Sequence, residues 1–421
     1  MRDSGVAHIL SVSGLHLSLV AMIFFISSRV LMNCSNHLAY NVNIKFIAAF
    51  ISIIGSFLYL QISGCNIAAM RAFIMTVIFI VAMMLGRAPY PLRSLMIAAF
   101  CILIFSPEYL FHPSFQLSFV VVLCLISGYE FYIKNKYILG HSKGIFASIK
   151  MYVFANIYSS FTASIITAPY VIYHFYKFAN YSVLMNLIAV PLMSFFIMPL
   201  ALLSIILMPL SLDMFLLKTL SFFIWIIIAS ADYIVQLPYS IWRVGHISSF
   251  SLVLFTFGLF WLCLWKSRMR SIGFLIMGLS VAMMLNHKKP NIIYDHNINV
   301  LGIKTKNNEL ELYSQNKTPK FTLNYWTSWY GQKEIKIHDK KIKQVDQVFT
   351  LANGDTLSLN YWKCSNADIQ IITSKKLKCP ASPSVMLINN EDIWKYKQVM
   401  LYDNDSSTNK YRVKYSDVDR K

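Results

Sequence analysis

Charge is scarce in this sequence, and acid is scarcer still. Charged residues make up 14% of the 421-residue chain, against about 25% in a soluble domain. Hydrophobic residues make up 56% and the mean hydropathy is +0.52. That balance excludes a single water-soluble globule and points to a polytopic membrane protein with room for one further domain. Asp and Glu number 19 against 38 Lys and Arg. Within the apolar part, Asp213 and Asp232 lie near the ends of hydrophobic runs. A proton or sodium path needs carboxylates at membrane depth, and none stands there.

Motifs of catalysis and metal binding are missing too. The sequence has no HxHxDH, HExxH or GxxxxGK[ST] and no CxxC. The chain is therefore not read as an enzyme, and no catalytic residue, metal or cofactor is expected. Of the seven cysteines, Cys34, Cys65, Cys101, Cys124 and Cys263 are scattered in or near apolar segments, where Cys behaves as a small hydrophobe. Cys364 and Cys379 are either free thiols or, in an oxidising exterior, a disulfide around a short loop. His296 and His338 have no evident ligand partners and read as structural or surface residues. No cleavable signal peptide, internal repeat or low-complexity linker is evident.

What is present is a series of apolar windows at 8–32, 44–62, 67–85, 94–106, 114–133, 151–176, 182–208, 214–236, 249–265 and 271–286. They predict about ten spans, some of them broken or half-spans. The fourth, SLMIAAFCILIFS, is short. The seventh contains Pro191 and Pro199 and runs to Pro209, which predicts a break or kink covered by protein or water.

Arg87 and Arg93, then Lys134, Lys136, Lys143 and Lys150, then Lys266, Arg268 and Arg270 fall on one side if all ten windows cross. The positive-inside rule makes that side cytoplasmic and puts both the N-terminus and the tail outside. An outside N-terminus with no preceding span fits a chain whose partner segment is absent or encoded separately. Up to Asn286 the net charge is +11, and from His287 onward it is +8. The first excess is no more than the positive-inside signal requires. The second is compatible with an anionic partner or with a solvated lysine surface.

The character changes near Pro290. Segments such as LELYS, KFTLNYW, KEIKIH, DQVFTL, DTLSLNYW, ADIQIITS and SVMLI are short and partly alternating, with turn signals such as Asn353-Gly354-Asp355 between them. They predict a small, mainly β, extracytoplasmic domain over 287–421 after a transmembrane domain over 1–286. Tyr325, Trp326, Trp329, Tyr330, Tyr361 and Trp362 lie among its lysines, as an aromatic core or as stacking surfaces for bases.

Polar residues inside the apolar part form four constellations. His8, Ser11, Ser13, Gly14 and His16 fall within about three helical turns. On a straight helix the two histidines stand about 12 Å apart along the axis and roughly 80° around it, so one helix cannot clamp one metal ion with both. Small residues for close packing, or a face lining a polar path, both fit the run. Arg71 sits one turn into its span, to snorkel outward or to turn inward. Ser114 and Ser118 share a helix face while Gln116 stands apart; Ser114 is a candidate N-cap and Gln116 a candidate interhelical bond, beside Phe115. Asn186, five residues before Pro191, is placed to satisfy backbone groups that the proline releases.

The stretch HILSVSGLHLSLVAMI resembles the signature of the ComEC-type competence membrane domain, close to H-(L/I)-L-(A/S)-(I/V)-S-G-L-H. AAMRAF, SPEYLFHPSFQLSF and NLIAVPLMSFFIMPL are similar to that family in the same order, so the resemblance covers roughly residues 1–286. It extends more loosely to ADIQIITSKKLKCP and MLINNEDIW. It implies a multi-pass protein of the bacterial inner membrane, a channel component through which one strand of captured DNA enters the cell. It also implies that His8, Ser11, Ser13, Gly14, His16, Arg71, Ser114, Phe115, Gln116 and Ser118 are pathway or packing residues, with Asn186 in the fourth similar stretch. The implied partners are single-stranded DNA, membrane lipid, a DNA receptor and a cytoplasmic motor, and oligomerisation is compatible with this picture.

Two departures set expectations of their own. Full members carry upstream spans and an exterior oligonucleotide-binding-type domain, whereas here Met1 falls almost at the motif. Many also carry a β-lactamase-like domain with metal-binding histidines, which this tail lacks, so no nuclease activity is expected. Two other classes fit the same sequence. One is a small-solute secondary transporter using the broken seventh span, weakened by the lack of central carboxylates and repeat symmetry. The other is a split or degenerate structural subunit with no transport of its own.

Overall fold

In a computed structural model the apolar runs form helices whose ends are set by asparagine, serine and proline. The structure describes residues 3–6, 14–34, 43–87, 90–134, 145–208, 211, 213–265, 267–286, 289–295, 300–305, 309–314, 320–332, 335–338, 347–350, 356–360, 369–372, 386–388, 398–403 and 411–416. Cys364, Cys379, His296, Tyr361, Trp362 and the loop cations Lys136, Lys143 and Lys266 lie outside the described residues.

The first helices are α1 (Gly14–Asn33), α2 (Ile44–Ile62), α3 (Ile67–Met84) and α4 (Pro91–Phe105). Asn66 caps α3, its side-chain oxygen accepting from Ala69 N at 2.9 Å. Pro91 opens α4, where a missing N–H is harmless. A 3-10 turn, Pro107–Phe111, leads into α5 (Pro113–Lys134) and then α6 (Ile145–Phe175). Next come β1 (Lys177–Ala179), α7 (Ser182–Leu192), a π turn (Met193–Ile197), α8 (Met198–Leu207), α9 (Met214–Gln236) and β2 (Ile241–Arg243), which pairs with β1. Two more helices follow, α10 (Ser249–Leu264) and α11 (Ile272–Leu285).

Among the described residues six helical stretches are long and apolar enough to cross a membrane: His16–Asn33, Ile44–Ile62, Ile67–Met84, Ser182–Ile205, Met214–Gln236 and Arg268–Leu285. Pro91–Phe105, Pro113–Tyr129 and Ser249–Leu264 are apolar but shorter. At 1.5 Å per residue, the 15 residues of α4 reach about 22 Å, short of a hydrocarbon core of roughly 30 Å. The ten windows of the sequence therefore resolve into six helical stretches of spanning length, three short helices, and α6 with Pro169 inside it.

Small residues set the helix contacts, as expected where lipid offers no hydrophobic drive between helices. Ser52 on α2 donates to Ala21 O on α1 at 2.7 Å. A Cβ on Gly55 would stand 2.6 Å from the Phe24 ring, so the ring lies on bare backbone. In α10 and α11 a Cβ on Gly273 would come 2.7 Å from Gly258 O, and Ser280 donates to Ser251 O at 2.6 Å. The interruption expected near Pro191 takes the form of the π turn. Ser194 donates to Val190 O at 2.8 Å there. Asn186, expected to mend the proline break, supplies no hydrogen bond to the turn among the described residues.

The chain divides into two compact units, 1–242 with 249–281, and 243–248 with 282–421. The second is largely β. A six-stranded sheet has the order β12-β11-β3-β4-β5-β6 and a four-stranded sheet the order β10-β9-β8-β7. The strands are β3 (Ile292–Asp295), β4 (Val300–Lys304), β5 (Leu310–Ser314), β6 (Lys336–His338), β7 (Gln347–Thr350), β8 (Thr356–Asn360), β9 (Ile369–Ile372), β10 (Met386–Ile388), β11 (Gln398–Asp403) and β12 (Tyr411–Ser416). Ile292, Leu301, Leu357, Ile369, Ile388 and Leu401 join both sheets in one core.

The expected strand over KFTLNYW is instead part of a helix, α12 (Lys320–Tyr330). Trp326, Trp329 and Tyr330 are buried at i, i+3 and i+4, a helical spacing. α12 crosses between the parallel strands β5 and β6, a connection that a tight hairpin cannot make. Gly302 makes room for it: a Cβ there would meet Trp326 Cζ3 at 3.2 Å. The tail aromatics among these residues form core, apart from the exposed Tyr325.

The C-terminal end of α12 is held largely by residues that precede the tail sequence. Gly331, with φ +77°, terminates it, and Gly245, with φ +86°, sits against it so closely that a Cβ would stand 2.9 Å from Trp329 O. His246 N donates to Trp329 O at 2.8 Å, Arg243 Nη1 to Gln332 O at 2.8 Å and Lys289 Nζ to Tyr330 O at 2.6 Å. Cations at a helix C-terminus complement its dipole. Burial lowers the Lys289 ammonium pKa, with a smaller push from the Lys304 charge, and burial raises that of the Tyr330 phenol.

Candidate functional site

Two of the four polar constellations meet at one place in the helical unit, and a third adjoins it through Phe115. α1 lies against α2 and α3 and touches the π turn and α8. Leu17 is fully buried with Leu60, Ala69 and Ala72, and Gly14, one turn earlier, shares that face. A Cβ on Gly14 would stand 3.3 Å from Arg71 Nη2 and 3.6 Å from Ala72 Cβ. The glycine thus leaves space that the guanidinium uses. His16 is buried as well. His8, Ser11 and Ser13 lie outside the described residues.

Arg71 turns inward and is only 8% exposed. Nη1 lies 3.6 Å from Met75 Sδ, and Cζ lies 5.8 Å from the centroid of the Phe119 ring. Nε has no hydrogen-bond partner among the described residues, and no carboxylate pairs with Arg71 there. A cation–π contact is worth on the order of 1–2 kcal/mol, whereas a buried ion without its pair costs several. A thioether, a ring face and a glycine are weak partners for five N–H donors. The guanidinium therefore retains hydrogen-bonding capacity suited to an oxyanion or to water.

Phe119 lies just beyond the third constellation and stacks on its Phe115. Phe115 and Phe119 are both buried and stack on one face of α5, with centroids 4.2 Å apart. They pack with Ile67, Leu95, Ala98, Ile102 and Leu123 from α3, α4 and α5. Gln116 points elsewhere: Nε2 donates to Leu110 O at 3.1 Å and Oε1 lies 2.9 Å from His174 Nε2 on α6. The start of α5 is capped by His112, whose Nδ1 accepts from Ser114 N at 3.2 Å, and not by the Ser114 hydroxyl as expected. Ser118 donates back to Phe115 O at 3.4 Å.

Asn186 stands apart from this group. It is buried on α7, and its Oδ1 has no partner among the described residues. The chain just before the signature run rests on the same helix. Val6 is buried with Met185 and Ala189, and a Cβ on Gly5 would meet Ser182 Cβ at 2.5 Å. Asp3 forms an ion pair with Lys177.

Several partners carried no sequence signal. Met75, Phe119 and His174 are single members of apolar runs whose pairing depends on which helices become neighbours. The same holds for Cys124 and Cys263, whose Sγ atoms lie 3.6 Å apart, and for Ser127, which accepts from Arg270 Nη2 at 3.0 Å. Among the described residues no three His, Cys, Asp or Glu side chains group to hold a metal ion.

Residues 1–269 match the model of a family described as Competence protein. Over 196 residues the chain is 28% identical to ComE operon protein 3 of Bacillus subtilis, a match covering 46% of this chain and 22% of that protein. Over 66 residues it is 36% identical to an uncharacterized protein of Rickettsia conorii, covering 16% of this chain and 88% of that protein. The chain thus spans only about a fifth of the Bacillus relative's length. No solved structure matches it.

Proposed function

The chain belongs to the Competence protein family, and from that membership we propose that it acts in DNA uptake, as part of an inner-membrane conduit that passes one DNA strand into a bacterial cell. The observation that carries this reading is Arg71, a buried cation without a carboxylate, held between the signature glycine and the Phe119 ring. A single strand presents phosphates and base faces, and a passage for it needs cations and a polar or stacking lining. Arg71 supplies the first, and in this proposal the polar residues of the signature run supply the second.

The conduit is passive in this proposal. The chain performs no chemistry on DNA, and a separate cytoplasmic motor or the proton motive force drives transport. The chain crosses the inner membrane several times, with the short helices α4 and α10 completing the bundle. The basic turns near Arg87 to Arg93 and near Arg268 to Arg270 face the cytoplasm by the positive-inside rule. The β-rich unit lies on the outer side, where a DNA receptor would deliver the strand. Residues 243–248 belong to the same compact unit as the tail, which supports placing them on that side too.

The test is uptake of labelled single-stranded DNA in a transformable host with this gene deleted and then restored. Loss on deletion and return on restoration support the conduit. Unchanged uptake removes it, and loss of a small solute's transport alone would favour a transporter. Cysteines placed at Ser11 or Ser13 should react with a water-borne thiol reagent in the assembled protein.

A further inference from the structure

Away from the Arg71 contact, a trough of about 580 Å³ lies between α3 and the start of α4. Its body is apolar, formed by Val77, Ile78 and Val81, and its end carries Arg87, Tyr90 and Arg93. All three end residues are exposed, and the Arg93 guanidinium lies 4.8 Å from the Tyr90 ring centroid. No acidic side chain lines the trough. The two arginines flank the turn joining α3 to α4, so the cationic end coincides with helix ends, the level at which headgroups lie in a bilayer.

We propose that this trough binds one anionic phospholipid, with an acyl chain along Val77, Ile78 and Val81 and the phosphate held by Arg87 and Arg93. The complementarity has two parts. The apolar body suits a hydrocarbon chain, and two cations with no acid suit an anionic head, as in basic pockets between membrane helices. Charge separates a lipid from a partner helix: an apolar helix face would leave Arg87 and Arg93 without an anion, whereas a phosphate headgroup meets both. Tyr90 holds Arg93 over its ring and so orders half of the headgroup clamp. The inference is independent of DNA uptake.

The test uses the full chain purified in detergent and titrated with phosphatidylglycerol or phosphatidylcholine, with bound lipid read by native mass spectrometry. Wild type should retain phosphatidylglycerol selectively, and Arg87→Gln/Arg93→Gln should lose about tenfold or more of that preference, the size expected for two surface cations. Val81→Trp, which fills the body, should remove one bound lipid. Lys218→Gln, an exposed cation elsewhere, should change nothing. Equal retention by the double variant overturns the proposal. So does competition by inorganic phosphate, or a dimer of this chain that the trough variants abolish. If the double variant does not purify, the single Arg→Gln variants are read instead.

Discussion

The Arg71 guanidinium occupies the space that a side chain on Gly14 would claim: a Cβ there would stand 3.3 Å from Nη2. This one relationship ties the signature helix α1 to the cationic position on α3. It gives the glycine of the signature a steric reason and the arginine a reason to turn inward.

Gly14→Leu should therefore push the guanidinium out of place and destabilise the helical unit by about 1–3 kcal/mol, the usual range for overpacking. Thermal unfolding of the purified protein measures it. In an Arg71→Gln background, with its shorter side chain, the same leucine should cost clearly less. Equal cost in both backgrounds would separate the two residues.

The Gln116–His174 bond joins α5 to α6 across 2.9 Å. Gln116→Ala and His174→Ala should each destabilise the protein. Their double-mutant cycle should show a coupling of about 1 kcal/mol, typical of a neutral hydrogen bond. Additive losses would mean that the pair does not hold in the membrane-extracted protein.

Two glycines of α11 should differ sharply. A Cβ on Gly273 meets backbone, Gly258 O at 2.7 Å and Leu262 N at 2.9 Å, whereas a Cβ on Gly278 meets nothing within 4 Å. Gly273→Val should lower the amount of folded protein recovered from membranes by a destabilisation of about 1–3 kcal/mol. Gly278→Val should leave recovery nearly unchanged.

In the β-rich unit, Gly245→Val should prise residues 243–248 from the end of α12, because the contact falls on Trp329 O and the backbone of Tyr330 and Gly331. Limited proteolysis should then cut within 243–248 faster than in wild type, while cutting elsewhere keeps its rate. Trp329→Ala, which removes the ring stacked on His246 at 5.2 Å, should act in the same direction.

Much of the helical part was legible in the sequence because long apolar runs fix helices by length and hydropathy alone. Window ends and helix ends agree closely at Ile44, Met214 and Ser249. The short fourth window was also legible, since α4 is only 15 residues long. The strand misassigned over KFTLNYW shows the weakness of short aromatic runs. Phe321, Tyr325 and Trp326 suit a strand locally, and only the further spacing to Trp329 and Tyr330 gives the helical period. The site was half legible. Arg71 and Gly14 stand out as costly residues in apolar runs, but their contact is tertiary and no local pattern encodes it. His174 and Phe119 look like ordinary members of their helices until α6 and α3 are brought beside α5.

The most direct test of the account is uptake of labelled single-stranded DNA in a transformable host that carries Arg71→Gln in place of wild type, with membrane levels of the protein matched by immunoblot. The account predicts at least a tenfold fall in uptake, with part of it recovered by Arg71→Lys, which keeps the charge but not the planar fork. Uptake equal to wild type in the Arg71→Gln cells would contradict it.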